Sequence, residues 1–410
     1  MATGTQQARA SPAAPSGSSV ADHFSLVVGG PFYRALVRMH LVQYAGADIG
    51  RRVIVLLLLT WAPLLILSLA AGTAFGTSVR IPLLKDFSIY GRFLVGIPLL
   101  LLAEIVIDPW IQHVVSKFAS SGVVRERDRP AYDALLKKVA QRRDSGLVEL
   151  IVALVAFFPL FVLGNYVFAG HEWGSHGITS WHSSASGGFS PAGWWFAFVA
   201  SPVLRFLMFR WLWRYALWSF LLYKVAKLDL ALVPIHPDKL GGLSFVLMAQ
   251  RHFGILFAAL GAFIAGQYAN SITYLGTSID ATKVPTAVFI VLAVLVVLGP
   301  LLLLCPKLIE CNRDGIVRYD EVARHLTESF DSAWATESGS KQKSMLGSQD
   351  PSSVADFISS YNVVDQMRVV PINKELVLLV AAEAAAPLAV LWIFATPLEE
   401  IIRGLMKMLA

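Results

Sequence analysis

Ionisable side chains inside apolar stretches are the residues of this chain best suited to chemistry. The run RFLMFRWLWRYALWSF, residues 205–220, sets Arg205, Arg210 and Arg214 among aromatic and aliphatic neighbours. Glu104 and Asp108 stand one helical turn apart in LLLLAEIVIDPW, Arg251 and His252 interrupt FVLMAQRHFGILFAAL, and Glu383 interrupts LVLLVAAEAAAPLAVL. Guanidiniums attract anions, and carboxylates serve as their counter-ions or as proton carriers. An unpaired charge in an apolar setting costs several kcal/mol, so these groups must pair or meet water. Three arrangements satisfy that demand: a dry set of ion pairs, arginines snorkelling at a membrane surface, or a water-filled vestibule with spare positive charge. A voltage-sensor stripe is excluded by angle. Arg205 to Arg210 turns about 140° and Arg205 to Arg214 about 180°, so only Arg210 and Arg214 share a face.

Two loops carry further candidates. In LDLALVPIHPDKLGGL (228–243), His236 and Asp238 form a possible acid–base or ligand pair, rigidified by Pro234 and Pro237 and followed by Gly241-Gly242. The plainer reading is a structured turn in which Asp238 caps the next helix. His171, Glu172, His176 and His182 bring four potential metal ligands into HEWGSHGITSWHSSASGGFSP (171–191), at a spacing that matches no established metal motif. No phosphate-binding glycine loop, nucleophile elbow or HExxH is present. Cys305 and Cys311, the only cysteines, lie about 240° apart on a helix and suggest no disulfide. No cofactor is predicted.

The elements that would hold these groups are membrane helices. Of the 410 residues 56% are hydrophobic and 15% charged, where soluble domains carry roughly a quarter charged; mean hydropathy is +0.60. The net charge of +6 fits basic loops at one membrane face better than nucleic-acid binding. The pattern predicts an all-α, polytopic transmembrane bundle of about seven spans, at 53–75, 90–112, 147–168, 194–222, 244–267, 285–307 and 375–396. Each approaches the 20 or so apolar residues that a bilayer requires. Pro202 is a candidate break in the fourth span, and Glu383 and Pro387 interrupt the last.

Loop charge sets the orientation. Residues 116–146 and 308–374 are rich in Lys and Arg, whereas 169–193 has neither and 268–284 has only Lys283. The positive-inside rule then places the N-terminus in the cytoplasm and the C-terminus in the periplasm. Counting depth from the span ends puts Glu104, Asp108, Arg210, Arg214, Arg251, His252 and Glu383 in the inner half of the bilayer, with Arg205 nearer the middle. The chain divides into a polar tail at 1–20, expected to be disordered, and an interfacial helix within 21–52, where Arg34 and Arg38 share a face. The first six spans occupy 53–308, with a cytoplasmic helical loop at 113–146. A cytoplasmic helical segment at 309–374 follows, then the last span and an amphipathic tail at 375–410. Within 309–336, Ile316, Tyr319, Val322, Leu326, Phe330 and Trp334 recur at helical spacing, and Asp350-Pro351 marks a second helix start.

LDLALVPIHPDKLGGL and MLGSQDPSSVADFISSYNVVDQMRVVP (345–371) resemble a family of uncharacterised bacterial integral membrane proteins, the resemblance running from the first span to the end. It implies a bacterial inner-membrane location and no particular activity. Three functions remain open: a channel or transporter for a small, anionic solute; a membrane-embedded enzyme acting at the cytoplasmic face through His236 and Asp238; and a non-transporting scaffold or sensor. The partners expected are the lipid bilayer and a small anion, with no nucleic acid.

Overall fold

The computed structural model describes residues 20–41, 49–76, 78–157, 179–183, 188–334 and 350–395. These are helical throughout, with isolated bridges and no strand among the described residues. A short helix, α1 (Gly30–Arg38), precedes α2 (Ile49–Ala70). Then come α3 (Phe87–Ser120), α4 (Arg129–Arg143), α5 (Gly146–Phe157) and α6 (Pro191–Val225). The chain continues through α7 (Ser244–Arg251), α8 (Gly254–Leu275) and α9 (Ile279–Leu298). It ends with α10 (Cys305–Trp334), α11 (Asp350–Asp365) and α12 (Lys374–Ala395).

Among the described residues, five helical runs are long and apolar enough to cross a membrane: α2, α3, α6, α7 with α8, and α9 continued into α10. Their outer faces carry Ile54, Leu58, Ile66, Val284, Val291 and Leu295, each more than half exposed. Such apolar walls suit hydrocarbon, since only closed backbone hydrogen bonding of this kind survives there. The chain is therefore membrane-embedded. The predicted count of about seven is not reached by these five. Of the span expected at 147–168, only α5 falls within the described residues. The 22-residue α12 runs unbroken past Glu383 and Pro387, packed along α8 and α9.

The loops sort to two ends. At one, Ile81 bridges Ser180, the Trp181 indole donates to Asp86, and the Tyr274 hydroxyl donates to the Lys85 carbonyl. At the other, which we term the basic end, Val124 bridges Leu230, Arg127 pairs with Asp229, and Arg368 N donates to the Lys239 carbonyl. The most buried helix is α3, which sends Phe93, Ile97, Leu101, Ile107, Ile111 and Phe118 into the core. Small residues permit its close approach to α8: Gly91 faces the Ala262 carbonyl and Gly266 faces the Phe87 backbone, with no room for a Cβ.

Pro202 does not break α6. The five residues Phe196–Ala200, ending two residues before it, form a π turn that widens the helix where the proline has no N–H to give. Tyr90–Gly96 does the same two residues before Pro98. The two π segments meet, with Phe93 edge-on to Phe196 at 6.2 Å and Arg92 over the Phe196 ring at 5.5 Å.

The predicted interfacial helix within 21–52 is corrected in form. After a 3-10 turn at Val20–His23, residues 24–29 run as a strap folded into the basic end, and the α-helix spans only Gly30–Arg38 before His40 turns at φ 56°. The amphipathic helix expected over 309–336 is continuous with the preceding span through a 3-10 turn at Gly299–Leu304. Its Tyr319, Leu326 and Phe330 are partly covered, whereas Ile316 and Val322 are exposed.

Candidate functional site

Glu104 is the centre of the charged site. It projects from α3 at 5% exposure and receives three guanidiniums: Arg214 at 2.8 Å, Arg210 at 3.5 Å, and Arg52 from the first turn of α2. Arg210 and Arg214 reach it together because they stand one turn apart on α6, and the Trp211 indole between them donates to the Leu100 carbonyl at 2.8 Å. A second carboxylate, Glu149 on α5, lies 3.7 Å from the Arg210 Nε. Arg210 and Arg214 are enclosed by protein, at 7% and 3% exposure, rather than extended to an interface. The cavity beside them, lined by Leu26, Gly29, Arg143, Glu149, Arg210 and Arg214 among others, holds about 20 Å³. That is room for one water. In this conformation the cluster is paired and closed.

The cover is the strap. Asp108, one turn beyond Glu104, does not join the arginines. It accepts the Ser25 hydroxyl at 2.7 Å and the backbone N–H groups of Leu26 and Val27 at 2.8 and 3.2 Å, with Gln112 donating at 2.9 Å. The Ser25 hydroxyl in turn accepts from Val27 N and Val28 N. So fastened, the strap turns its carbonyls toward the cations: Arg214 donates to Val27 O at 3.4 Å and Arg143 donates to Ser25 O. Gly29 and Gly30 take φ 140° and 85°, angles that a residue with a Cβ rarely adopts. They aim Phe32 so that its N–H donates to Glu149 at 2.8 Å and its ring lies 4.8 Å from the Arg210 guanidinium.

The eight charges placed together by depth are therefore not one cluster. Arg205 lies on another face of α6 and donates to Ser201 one turn back, at 3.0 Å. Arg251 is exposed at the end of α7, and His252 forms the break before α8, its ring stacked on Trp110 at 5.2 Å. Glu383 of α12 presses against Gly254, and its Oε2, like His252 Nε2, is buried without a hydrogen-bond partner among the described residues. This is a separate polar spot on the α8–α12 side. The reason is azimuth: groups at one depth on different helices meet only if their faces do.

His236 and Asp238 form a turn. Asp238 accepts the N–H groups of Leu240 at 2.8 Å, Gly242 at 3.1 Å and Ser244 at 3.0 Å, the last opening α7, and the His236 Nδ1 lies 2.8 Å away. Burial alone would raise the Asp238 carboxyl, but these backbone donors and His236 outweigh it and hold it below the ordinary range. The pair is spent on capping. Of the loop candidates for metal, His171, Glu172 and His176 lie outside the described residues. His182 packs edge-on to Trp181 at 5.3 Å with its ring nitrogens by the Ser180 hydroxyl, and burial pushes it down to about 4, Arg92 adding to the effect and Asp86 opposing it.

Sequence reasoning missed Arg52, Glu149, Arg143 and the strap. Arg52 stands just before the span expected at 53–75 and Glu149 at the start of the one expected at 147–168, both close to the level of Glu104, which is a legible signal. Asp86 at the opposite end was also missed: it accepts Ser88 N, the Ser88 hydroxyl, the Trp181 indole and the Asn270 amide, tying α3, α8 and the 179–190 loop together. Comparison of the chain with protein-family models, with curated proteins and with solved structures finds no match.

Proposed function

We propose that the protein is a channel or transporter for a small anion, seen with its basic end closed. One observation carries this reading: the buried cluster holds more positive than negative charge, and its cover is a short hydrogen-bonded strap rather than a spanning helix. Arg52, Arg210 and Arg214 pair with Glu104 and Glu149, three cations against two carboxylates, and Arg143 at the edge pairs with the exposed Asp144. An excess cation held in low dielectric is an attractor for anions. The positive-inside rule orients the basic end to the cytoplasm of a bacterial inner membrane, with the N-terminus inside and the C-terminus in the periplasm.

The test is flux into proteoliposomes with chloride, nitrate, sulfate and phosphate against sodium and potassium, wild type beside Arg210→Ala. Anion flux that falls in the variant is the expected result, and no flux of any ion overturns the proposal. A scaffold or sensor is the second reading, favoured by the bare apolar side of α10, where Ile309, Ile316 and Val317 are 39–68% exposed within about 100° of arc. Absence of flux together with a function lost on Val317→Asp would favour it.

A further inference from the structure

The strap's chemistry points to what the cluster binds. This inference rests on the anion reading above and deepens it. Each arginine carries five N–H donors, while a carboxylate offers about four acceptor positions. Glu104 is shared by three guanidiniums, so donors are left over. The strap meets them with neutral groups: the Val27 carbonyl for Arg214, the Ser25 carbonyl for Arg143, and the face of Phe32 for Arg210. Those at Arg214 and Arg210 are weak substitutes, while Arg143 is also held by Asp144 through Nε at 2.7 Å and Nη2 at 2.8 Å. The Arg214–Val27 contact is 3.4 Å, whereas a guanidinium on an anionic oxygen settles at roughly 2.7–2.9 Å with about twice the strength of a neutral bond.

We propose that Arg143, Arg210 and Arg214 form a binding site for an oxyanion, and that residues 24–32 occupy it in the closed state, their carbonyls and ring standing where the ligand's oxygens go. The ligand class is a carboxylate, sulfate or phosphate group able to bridge guanidiniums in bidentate fashion. The 20 Å³ cavity is too small for such a group beside the strap, so ligand and strap compete. The strap is a short segment rather than a spanning helix, held by hydrogen bonds to Asp108 and by the buried side chains of Phe24, Leu26 and Val27, and Gly29-Gly30 gives it a hinge at positive φ. Withdrawing it exposes the cations from the basic end.

Competition is read by amide hydrogen exchange on the full chain in detergent, at Leu26, Val27 and Phe32. Sodium sulfate is compared with sodium chloride at matched ionic strength, and nanodiscs of phosphatidylglycerol are compared with phosphatidylcholine. Sulfate is expected to speed exchange at these amides about tenfold, the response of a closed state that the ligand disfavours, and Arg214→Gln to abolish the effect. Acceleration by phosphatidylglycerol without sulfate would assign the site to a lipid headgroup, and acceleration by sulfate alone to a free anion; both support an oxyanion site. Ser25→Ala, which loosens the strap without touching a charge, provides the control. If it speeds exchange while neither sulfate nor phosphatidylglycerol does, the strap is a structural clip and the proposal falls. The transport reading is separable. Anion flux that persists with a strap indifferent to anions leaves transport standing and removes the strap site. Anion-driven release with no flux leaves the site and removes transport.

Discussion

Replacing Glu104 with alanine tests the central geometry directly. The variant removes the shared acceptor of Arg52, Arg210 and Arg214 from a position that is 5% exposed. Arg210 keeps Glu149 at 3.7 Å, but among the described residues Arg214, 3% exposed, keeps only the Val27 carbonyl at 3.4 Å and the Trp211 ring at 4.9 Å. Breaking a buried pair from one side costs about 3–5 kcal/mol, because the surviving charge is left desolvated. Thermal unfolding in detergent, followed by intrinsic tryptophan fluorescence, should therefore fall by several degrees and expression should drop. Glu104→Gln, which keeps one acceptor oxygen, should fall less. Adding Arg214→Met to Glu104→Ala should recover part of the loss, with a coupling of about 1–3 kcal/mol for groups in direct contact. The control is Asp280→Asn, whose Lys283 pair is solvent-exposed at both ends and should cost no more than about 1 kcal/mol. A Glu104→Ala protein that melts with the wild type would refute the buried triple pair.

Other outcomes follow from the same structure. Gly29→Ala sets a Cβ against Arg143 and Asp144 at φ 140°, and should raise protease cleavage within residues 20–32 while leaving the α3–α8 core intact. Gly91→Val meets the Ala262 carbonyl and, as an overpacked core site, should cost about 1–3 kcal/mol or more in thermal unfolding. Asp238 is held below its ordinary range, so its contribution is full above about pH 3.9 and is lost as pH falls through the lower folded value; the stability gap between wild type and Asp238→Asn should close in acid. His182 is pushed down to about 4. Between pH 6.5 and 4 the unfolded chain takes a proton that the folded chain refuses, so stability should fall with pH across that window. His182→Phe should flatten the fall as monitored by Trp181 fluorescence.

The line between sequence and structure runs through particular residues. Apolar length and helical spacing determine that this is an all-α membrane protein, because each span satisfies its own backbone and needs no partner to be helical. The same local logic marks the Asp350 helix start, the capping turn at Asp238 and the shared face of Arg210 and Arg214. Local signals err where a neighbour intervenes: Pro202 reads as a break, yet a π turn carries α6 through it, and Glu383 with Pro387 reads as an interruption, yet α12 is continuous. The site was legible only in part. Residue number fixes depth along a helix, so Glu104, Arg210 and Arg214 could be set at one level from sequence alone. Depth says nothing about which faces meet. That is decided by packing between segments far apart in the chain, with α2 and α6 against one side of α3 and the strap against the next. For that reason Glu104 gathers arginines while Asp108, a single turn away on the same helix, holds the backbone of residues 25–27.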